Sequence, residues 1–357
     1  MIGKAMQNIP FFDGHNDVLL RLLRECFDQP VASFLSGNQV TQLDLPRAQS
    51  AGFSGGLFAV FAPSLEHYDF EEYQSPQGYN VPMPPPIPLD RAQKLTFEMF
   101  DLLHDIEAGS EGQVRICRNA TDIKDATAKG QLAAVLHIEG ADCIDADFKM
   151  LDTLYERGLR SIGLVWSRNN IFGNGVPFQF PSTPDIGAGL TELGKTLVAE
   201  CNRRRMLIDL SHLNEKGFWD VADLSTAPLV ATHSNAHHLC PSPRNLTDKQ
   251  LKAIADSGGV VGINFAPCFL AADGLLQSTV PLSTILAHTN YLVDHLGEDG
   301  VALGSDFDGI MMPEEIRDVS GVSIIFAALE RTGMPSKMIE KIAYNNWIRV
   351  LSQTIGV

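Results

Sequence analysis

Side chains that bind metals or transfer protons follow five short apolar segments of this sequence. In chain order they are His15 and Asp17, Glu139, His212, His233, and Asp306. Each is a weak signal by itself, because a buried structural histidine or a helix-capping carboxylate is more common than a metal ligand. Packing favours apolar or small residues at such places, so it does not explain five segments that all end this way. The coincidence therefore indicates one shared site.

The residue types predict the chemistry of that site. Carboxylates gathered in one pocket repel one another and raise each other's pKa values, and divalent cations remove the repulsion. Three histidines with two carboxylates suit zinc or a similar borderline metal, whereas calcium and magnesium prefer oxygen-rich sites. His15 and Asp17 are two positions apart at a strand end, so both side chains lie on one face and reach one cation. We expect two divalent metal ions per chain, with zinc as the leading candidate.

Eight short apolar segments of strand length position these residues. They span 10–13, 56–61, 132–138, 161–165, 206–210, 229–232, 260–265 and 301–304. Their near-continuous apolar character is typical of parallel strands covered on both faces, and helical segments separate them. Eight alternations of strand and helix favour an α/β fold of the (β/α)8 or TIM-barrel type, with a doubly wound open sheet as the alternative. We expect a single barrel domain over 1–357, in which the carboxyl strand ends converge on one face.

Local signals define some of the connecting segments. Thr247 and Gln250 have the spacing of a capping box, and a glycine pair ends the apolar face that follows them. Another helix ends at the basic run 203–205, which suits a helix C-terminus. Five prolines between positions 82 and 88 predict that the segment of about 64–89 lacks regular helix or sheet. We expect this segment to be a loop insertion, which either covers the site or is an inert surface loop.

The overall composition excludes several partners. A formal net charge of -16 without a Lys/Arg-rich run disfavours nucleic acid, so a small substrate is expected. No run of signal-peptide or membrane-spanning type is found, which predicts no membrane contact and a cytoplasmic location. The six cysteines lie far apart, so free thiols are expected, with a bridge between Cys240 and Cys268 as the alternative.

Several motifs together resemble the membrane dipeptidase (renal dipeptidase) family. The matching stretches are 13–17, 208–212, 233–236, 240–245 and 304–309, in the order found in that family and across nearly the whole chain. The resemblance implies an amidohydrolase-like barrel that hydrolyses dipeptides, in many relatives with a C-terminal D-residue. It also implies a homodimer.

The same resemblance implies a ligand set and a mechanism. His15 and Asp17 correspond to the ligands of one zinc ion, and His212 and His233 to those of the other. Glu139 corresponds to the carboxylate that bridges both ions. A hydroxide held between the ions would attack the scissile carbonyl, because the cations acidify bound water.

Further roles are carried over in the same way. Arg244 is similar to the arginine that holds the substrate carboxylate, for which a planar bidentate donor is suited. A surface salt bridge is the alternative reading of this arginine. Asp306 resembles the aspartate that passes a proton to the departing amine, and Asp308 is expected to support its loop.

Trp166 departs from the family pattern. It occupies the position of a histidine that contacts the reacting carbonyl oxygen, and its indole N–H donates a hydrogen bond but cannot become cationic. We expect Arg168 or Asn169 to replace that donor, and we count all three as candidate substrate-binding residues. Two other functions stay open at this point: a related amidohydrolase acting on another amide or a lactam, and a non-catalytic metal-binding protein.

Overall fold

A computed structural model describes residues 9–66, 68, 70–275 and 279–357. Two predictions partly concern residues outside these ranges. Positions 1–8 belong to the N-terminal stretch in which no signal-peptide run was found, and positions 67 and 69 belong to the proline-rich segment. The described ranges contain twelve strands. They are β1 (Phe11–Asn16), β2 (Phe53–Phe61), β3 (Gln74–Ser75), β4 (Gly78–Asn80), β5 (Val114–Ile116), β6 (Leu132–Glu139), β7 (Leu159–Gly163), β8 (Gln179–Phe180), β9 (Leu207–Asp209), β10 (Val230–Ala231), β11 (Val260–Ile263) and β12 (Val301–Leu303).

Helices connect most of these strands. Those of the described chain are α1 (Val18–Glu25), α2 (Pro30–Ser36), α3 (Leu45–Ala51), α4 (Leu89–Gly109), α5 (Ala120–Ala128), α6 (Lys149–Glu156), α7 (Glu192–Arg204), α8 (Glu215–Leu224), α9 (Asp248–Asp256), α10 (Pro267–Leu270), α11 (Leu282–Leu296), α12 (Val322–Arg331), α13 (Ser336–Glu340) and α14 (Asn346–Thr354). Short 3₁₀ turns lie at Phe70–Tyr73, Ala141–Cys143 and Val319–Gly321, and Lys341–Asn345 is a π-helical turn before α14.

Eight parallel strands close into a barrel. Their order is β2, β1, β12, β11, β10, β9, β7 and β6, and β6 pairs with β2 to complete the ring. These are the eight segments predicted from the sequence, so the (β/α)8 fold is confirmed. The pairing of β2 with β6, in which Phe61 lies opposite Glu139, rules out the open sheet.

Strand β5 was not predicted. It pairs with the start of β6, on the same side as β7, through the register Val114 to Leu132. Three residues are too few for an apolar pattern to be recognised, which explains the omission.

The core has one layer between strands and helices and one inside the barrel. Inside, apolar side chains such as Phe12, Leu57 and Val135 pack together with Trp347 of α14. The Trp347 indole N–H donates to the Leu303 carbonyl at 2.8 Å, so this buried polar group is satisfied. Helix α14 is thereby fixed to the barrel strands.

The predicted helix ends were confirmed, whereas the predicted loop was only partly correct. The capping box of Thr247 and Gln250 is present at the start of α9, and α7 ends at Arg204 within the basic run. The proline stretch 81–88 has neither helix nor strand, as expected. The expectation was wrong for 70–80, where a 3₁₀ turn and the hairpin of β3 and β4 form. These residues precede the prolines, and β4 is held by its pairing with β8.

Gly262 of β11 allows strands to approach closely inside the barrel. A Cβ atom at this position would overlap the Thr232 carbonyl oxygen, which belongs to the backbone and cannot move aside. We predict that Gly262→Ala lowers the free energy of unfolding by about 1–3 kcal/mol. Gly109→Ala is the control, because its Cβ would make ordinary contacts with Leu35 and Val31. Denaturant unfolding followed by circular dichroism measures both, and equal midpoints would contradict the prediction.

Candidate metal centre and active site

The five predicted metal-binding side chains meet at the carboxyl ends of the barrel strands. Glu139 is central: its Oε1 lies 3.0 Å from Nε2 of His212, 3.3 Å from Nε2 of His233 and 3.7 Å from Nε2 of His15. Asp17, directly after β1, places Oδ2 3.3 Å from Nε2 of His15. All five side chains are buried. The fold therefore gathers them into one cluster, as the sequence predicted.

Asp306 belongs to the same cluster. Candidate ligand atoms of His15, Asp17 and Asp306 lie within 4.8 Å of one another, and so do those of His15, Glu139 and His233. Asp17 Oδ1 is buried and has no hydrogen-bond partner among the described residues. Buried polar atoms are normally paired, so this unpaired oxygen is suited to binding a cation. The mixture of imidazole nitrogens and carboxylates fits a divalent metal of the zinc type.

Electrostatics supports the same interpretation. Burial raises the pKa of Glu139 well above its usual value, although His15 acts in the opposite direction. Burial lowers the pKa values of His212 and His233, and the charges of His15 and Arg244 add to that effect. Burial also acts to lower the pKa of His15, but Glu139 and the other nearby carboxylates outweigh it and raise the value to about 10. Cations would supply the positive charge that the carboxylates lack, and neutral imidazoles are the form that binds them.

Hydroxyl groups orient two of the imidazoles. His212 Nδ1 is 2.8 Å from Ser167 Oγ, and His233 Nδ1 is 2.8 Å from Thr232 Oγ1. The Thr232 hydroxyl donates to Asp209 Oδ2 at 2.6 Å, so it accepts from the imidazole. This fixes the proton of His233 on Nδ1 and leaves Nε2 free to bind a metal.

Asp306 is held by its backbone and by a neighbouring amide. Its φ of 65° lies in the left-handed region that non-glycine residues seldom adopt, and His212 has a similar φ of 67°. Asn264 Nδ2 donates to Asp306 Oδ2 at 2.8 Å. Asn264 was not predicted from the sequence, because an asparagine after a strand carries no signal for metal binding or proton transfer. Asp308 does support its loop, since its Oδ1 accepts from the backbone N–H of Gln42 at 2.7 Å.

Arg244 lies beside the cluster and is only 3% exposed, which excludes the surface salt bridge considered as its alternative. Its Nη2 donates to the His233 carbonyl at 3.0 Å, and its Cζ lies 5.3 Å from the ring centre of Phe269. The Nε and Nη1 atoms are buried without a partner in the described part of the chain. A buried guanidinium with two unpaired donors is suited to an anionic ligand.

The three candidate substrate donors have separate locations. Trp166 lines the cavity beside the cluster, with its ring 5.8 Å from that of His212. Arg168 is fully buried and donates to Asp142, Ser64 and the Ala62 carbonyl.

Asn169 accepts from the backbone N–H of Gly175. The cavity walls formed by the described residues include neither Arg168 nor Asn169. The Arg168 guanidinium and the Asn169 amide oxygen thus hold loops together, and the expectation that one of these two residues contacts the substrate stays a prediction.

A cavity of about 490 Å³ lies directly beside the cluster. Its walls include Glu139, His212 and Asp306 from the cluster, together with Phe269 next to Arg244. The volume is within the range of small-molecule sites. Cys268 also lines the cavity, and it and Cys240 are free thiols, as expected.

A closed parallel barrel that presents a buried acid–imidazole cluster to a ligand-sized cavity is typical of metal-dependent hydrolases. Residues 2–356 match the family described as membrane dipeptidase (peptidase family M19), and the chain belongs to this family. The resemblance drawn from the motifs is thus confirmed. The chain is a metallo-dipeptidase, a hydrolase that acts on peptide bonds and requires divalent metal.

Two solved peptidase structures agree with this assignment, and an uncharacterised relative is similar in sequence. A metallopeptidase from Rhodobacter sphaeroides, liganded with a phosphinate mimic of the dipeptide L-Ala-D-Ala, is 46% identical with a TM-score of 0.94 over 97% of this chain and 99% of that one. Another M19 dipeptidase structure is 46% identical, with a TM-score of 0.92 over 98% and 100% of the two chains. An uncharacterised protein in the pqqA 5′ region of Klebsiella pneumoniae is 49% identical over 72% of this chain and 95% of its own. No helix in the described ranges is long and apolar enough to cross a membrane.

The hydroxyl that orients His212 gives a test of the cluster. We predict that Ser167→Ala weakens metal binding by roughly 10–100-fold, because the imidazole loses the contact that fixes its tautomer and direction. Ser234→Ala is a matched control, since this buried serine contacts the Ser211 hydroxyl at 3.5 Å and none of the clustered side chains through its own hydroxyl. Titration with a competing chelator, followed by elemental analysis, gives the affinities. Unchanged affinity in Ser167→Ala would show that the contact has no orienting role.

Proposed function

We propose that this metallo-dipeptidase uses two zinc ions and cleaves dipeptides that carry a free C-terminal carboxylate, including those with a D-residue there. The observation that carries the proposal is the position of Glu139, whose single oxygen lies within 3.7 Å of three imidazole nitrogens from separate strands. The dipeptide mimic bound by the Rhodobacter sphaeroides relative ends in D-Ala, which supports tolerance of a D-residue.

The proposed zinc ligands divide into two groups. His15 and Asp17 would hold one ion, His212 and His233 the other, and Glu139 would contact both. The donor set suits zinc, since it offers several imidazoles and few oxygens. When bound, the metals supply an acidified water for attack on the scissile carbonyl and polarise that carbonyl.

Asp306 and Arg244 would carry out the remaining steps. Asp306 would move a proton from the attacking water to the departing amine, and the Asn264 amide keeps its Oδ2 in place for this transfer. Arg244 would hold the substrate carboxylate with its two unpaired donors, which fixes the scissile bond over the cluster. Trp166 can contribute only an uncharged N–H or an apolar surface, so polarisation of the carbonyl would depend on the metals.

The proposed ligand set predicts the number of bound metals. We predict about two divalent ions per purified chain by elemental analysis, and a consistent value of one or none would contradict the binuclear site.

Glu139→Gln is expected to be among the most damaging single changes, because a neutral amide does not bridge two cations. If that variant kept both metals and the normal rate, the bridging role would be wrong.

Arg244 gives a test of substrate recognition. We predict that Arg244→Ala lowers kcat/KM on dipeptides. The lost transition-state stabilisation should be about 2–5 kcal/mol, since a buried charge-assisted contact is lost. A C-terminally amidated dipeptide lacks the carboxylate, so it should be a poor substrate for the wild type and scarcely worse for the variant. Arg244→Lys keeps the charge but not the planar donor, so it should restore only part of the rate. Equal losses on acid and amide would assign Arg244 a structural role.

Rapid cleavage of the amide by the wild type would instead favour a broader amidohydrolase, the alternative that the sequence left open. The expectations of a homodimer and of a cytoplasmic location stay predictions.

A further inference from the structure

Four aromatic side chains form one wall of the cavity. They are Phe61, Phe70, Trp166 and Phe178, all half-buried and all lining the cavity. Ring centres are 4.8 Å apart for Phe61 and Trp166, 5.4 Å for Trp166 and Phe178, and 5.3 Å for Phe70 and Phe178. We call this group the aromatic wall. Contiguous apolar surface that is left partly exposed inside a cavity is a typical binding surface.

Two separate segments are tied together to build the aromatic wall. Phe70 belongs to the segment after β2, and Phe178 directly precedes β8. Strand β4 pairs with β8 through Tyr79 and Phe180, whose rings stack at 6.1 Å. This small sheet has its own apolar cluster, so it fixes Phe70 and Phe178 relative to each other independently of the barrel core.

The barrel order places the aromatic wall relative to the proposed carboxylate site. Phe61 ends β2 and Phe70 follows it, whereas Arg244 follows β10. Three barrel strands separate β2 from β10 on each side, so the two lie across the barrel from one another. The predicted metal-binding side chains lie between these two strands. Trp166, next to His212, connects the aromatic wall to them. A dipeptide held by its carboxylate at Arg244 therefore extends its N-terminal residue towards Phe61 and Phe70.

We propose that the aromatic wall is the subsite for the side chain of the substrate's N-terminal residue and that it selects large apolar side chains. The assignment rests on the proposed function, because Arg244 decides which end of the dipeptide faces Phe61 and Phe70. Burial of an apolar side chain against these rings removes water from both surfaces. Arg21 and Arg24 of α1 line a neighbouring part of the cavity, and Arg21 lies 3.7 Å from Glu25. These arginines offer a competing specificity, which is a preference for substrates with an acidic N-terminal residue.

Two dipeptide series separate the positions. In the first, the N-terminal residue is Gly, Ala, Leu, Phe or Asp and the C-terminal residue is always glycine, which has no side chain. In the second, glycine is N-terminal and the other residue varies. The wild-type kcat/KM should rise roughly tenfold or more from Gly-Gly to Phe-Gly, and Leu-Gly should lie between them. The Gly-X series should show no comparable increase with apolar size.

Variants of the 3₁₀ turn show whether the aromatic wall is responsible. Phe70→Ala should lower kcat/KM for Phe-Gly roughly tenfold more than for Gly-Gly, and Phe70→Leu should keep most of the preference. Tyr73→Ala is the matched control: Tyr73 lies in the same turn and packs on Tyr68 but is not part of the cavity wall in the described chain. It should leave the ratio of the two rates unchanged.

Several outcomes would overturn the proposal. Equal losses on both substrates in Phe70→Ala would mean that Phe70 is structural. A Phe70-dependent preference in the Gly-X series would assign the aromatic wall to the C-terminal residue. A preference for Asp-Gly that disappears in Arg24→Ala would show that the arginines, and not the aromatic wall, bind the N-terminal side chain. The proposed function is judged separately, by whether Gly-Gly is cleaved and whether that cleavage needs Arg244, and neither result involves the aromatic wall.

Discussion

The structure depends on the burial of one carboxylate, that of Glu139, among groups that do not fully compensate its charge. Glu139 is withdrawn from water at the end of β6, with three imidazoles around it and two further carboxylates nearby. Burying charge without full compensation is costly, and a fold tolerates it only where the surroundings hold each group in place or a cation restores the balance. Metal dependence is therefore a consequence of the barrel as well as of the catalytic chemistry.

The barrel supplies the required rigidity. The clustered side chains leave five different strands at their carboxyl ends, with His15 and Asp17 both from β1, and closure between β2 and β6 fixes the distances between those ends. Polar neighbours then set the details, as when Ser167 orients His212 and Asn264 holds Asp306. Left-handed backbone at His212 and Asp306 shows that the loops adopt unfavourable conformations to present these side chains.

The proposed specificity subsite has a different structural origin from the proposed metal ligands. The metal cluster comes from strand ends, whereas the aromatic wall comes mainly from two loops that are joined by the small sheet of β3, β4 and β8. Loops of this kind change without disturbing the barrel, so substrate preference and metal binding are free to vary independently. Trp166 fits this division, since it adds apolar surface to the cavity beside His212.

The sequence by itself determined the eight barrel strands, the capping box of α9 and the residues that gather at the site. Each of these is a local property: apolar runs of strand length, a fixed spacing of polar residues, or a ligand just beyond a strand. The family motifs added the expected roles. Because a parallel barrel brings its carboxyl strand ends together, local positions were enough to predict that His15, Glu139 and His233 would meet.

Only the tertiary structure decided where the loop residues lie. Arg168 and Asn169 are close in sequence to Trp166, yet their side chains bind other loops and Trp166 alone of the three lines the cavity within the described chain. Phe70 reaches the site because β4 pairs with β8, a contact between short segments that carry no periodic signal. The burial of Arg244, with two donors unpaired, likewise depends on the packing of Phe269 and the clustered side chains around it. Such contacts join residues that are distant in sequence, so no local pattern encodes them.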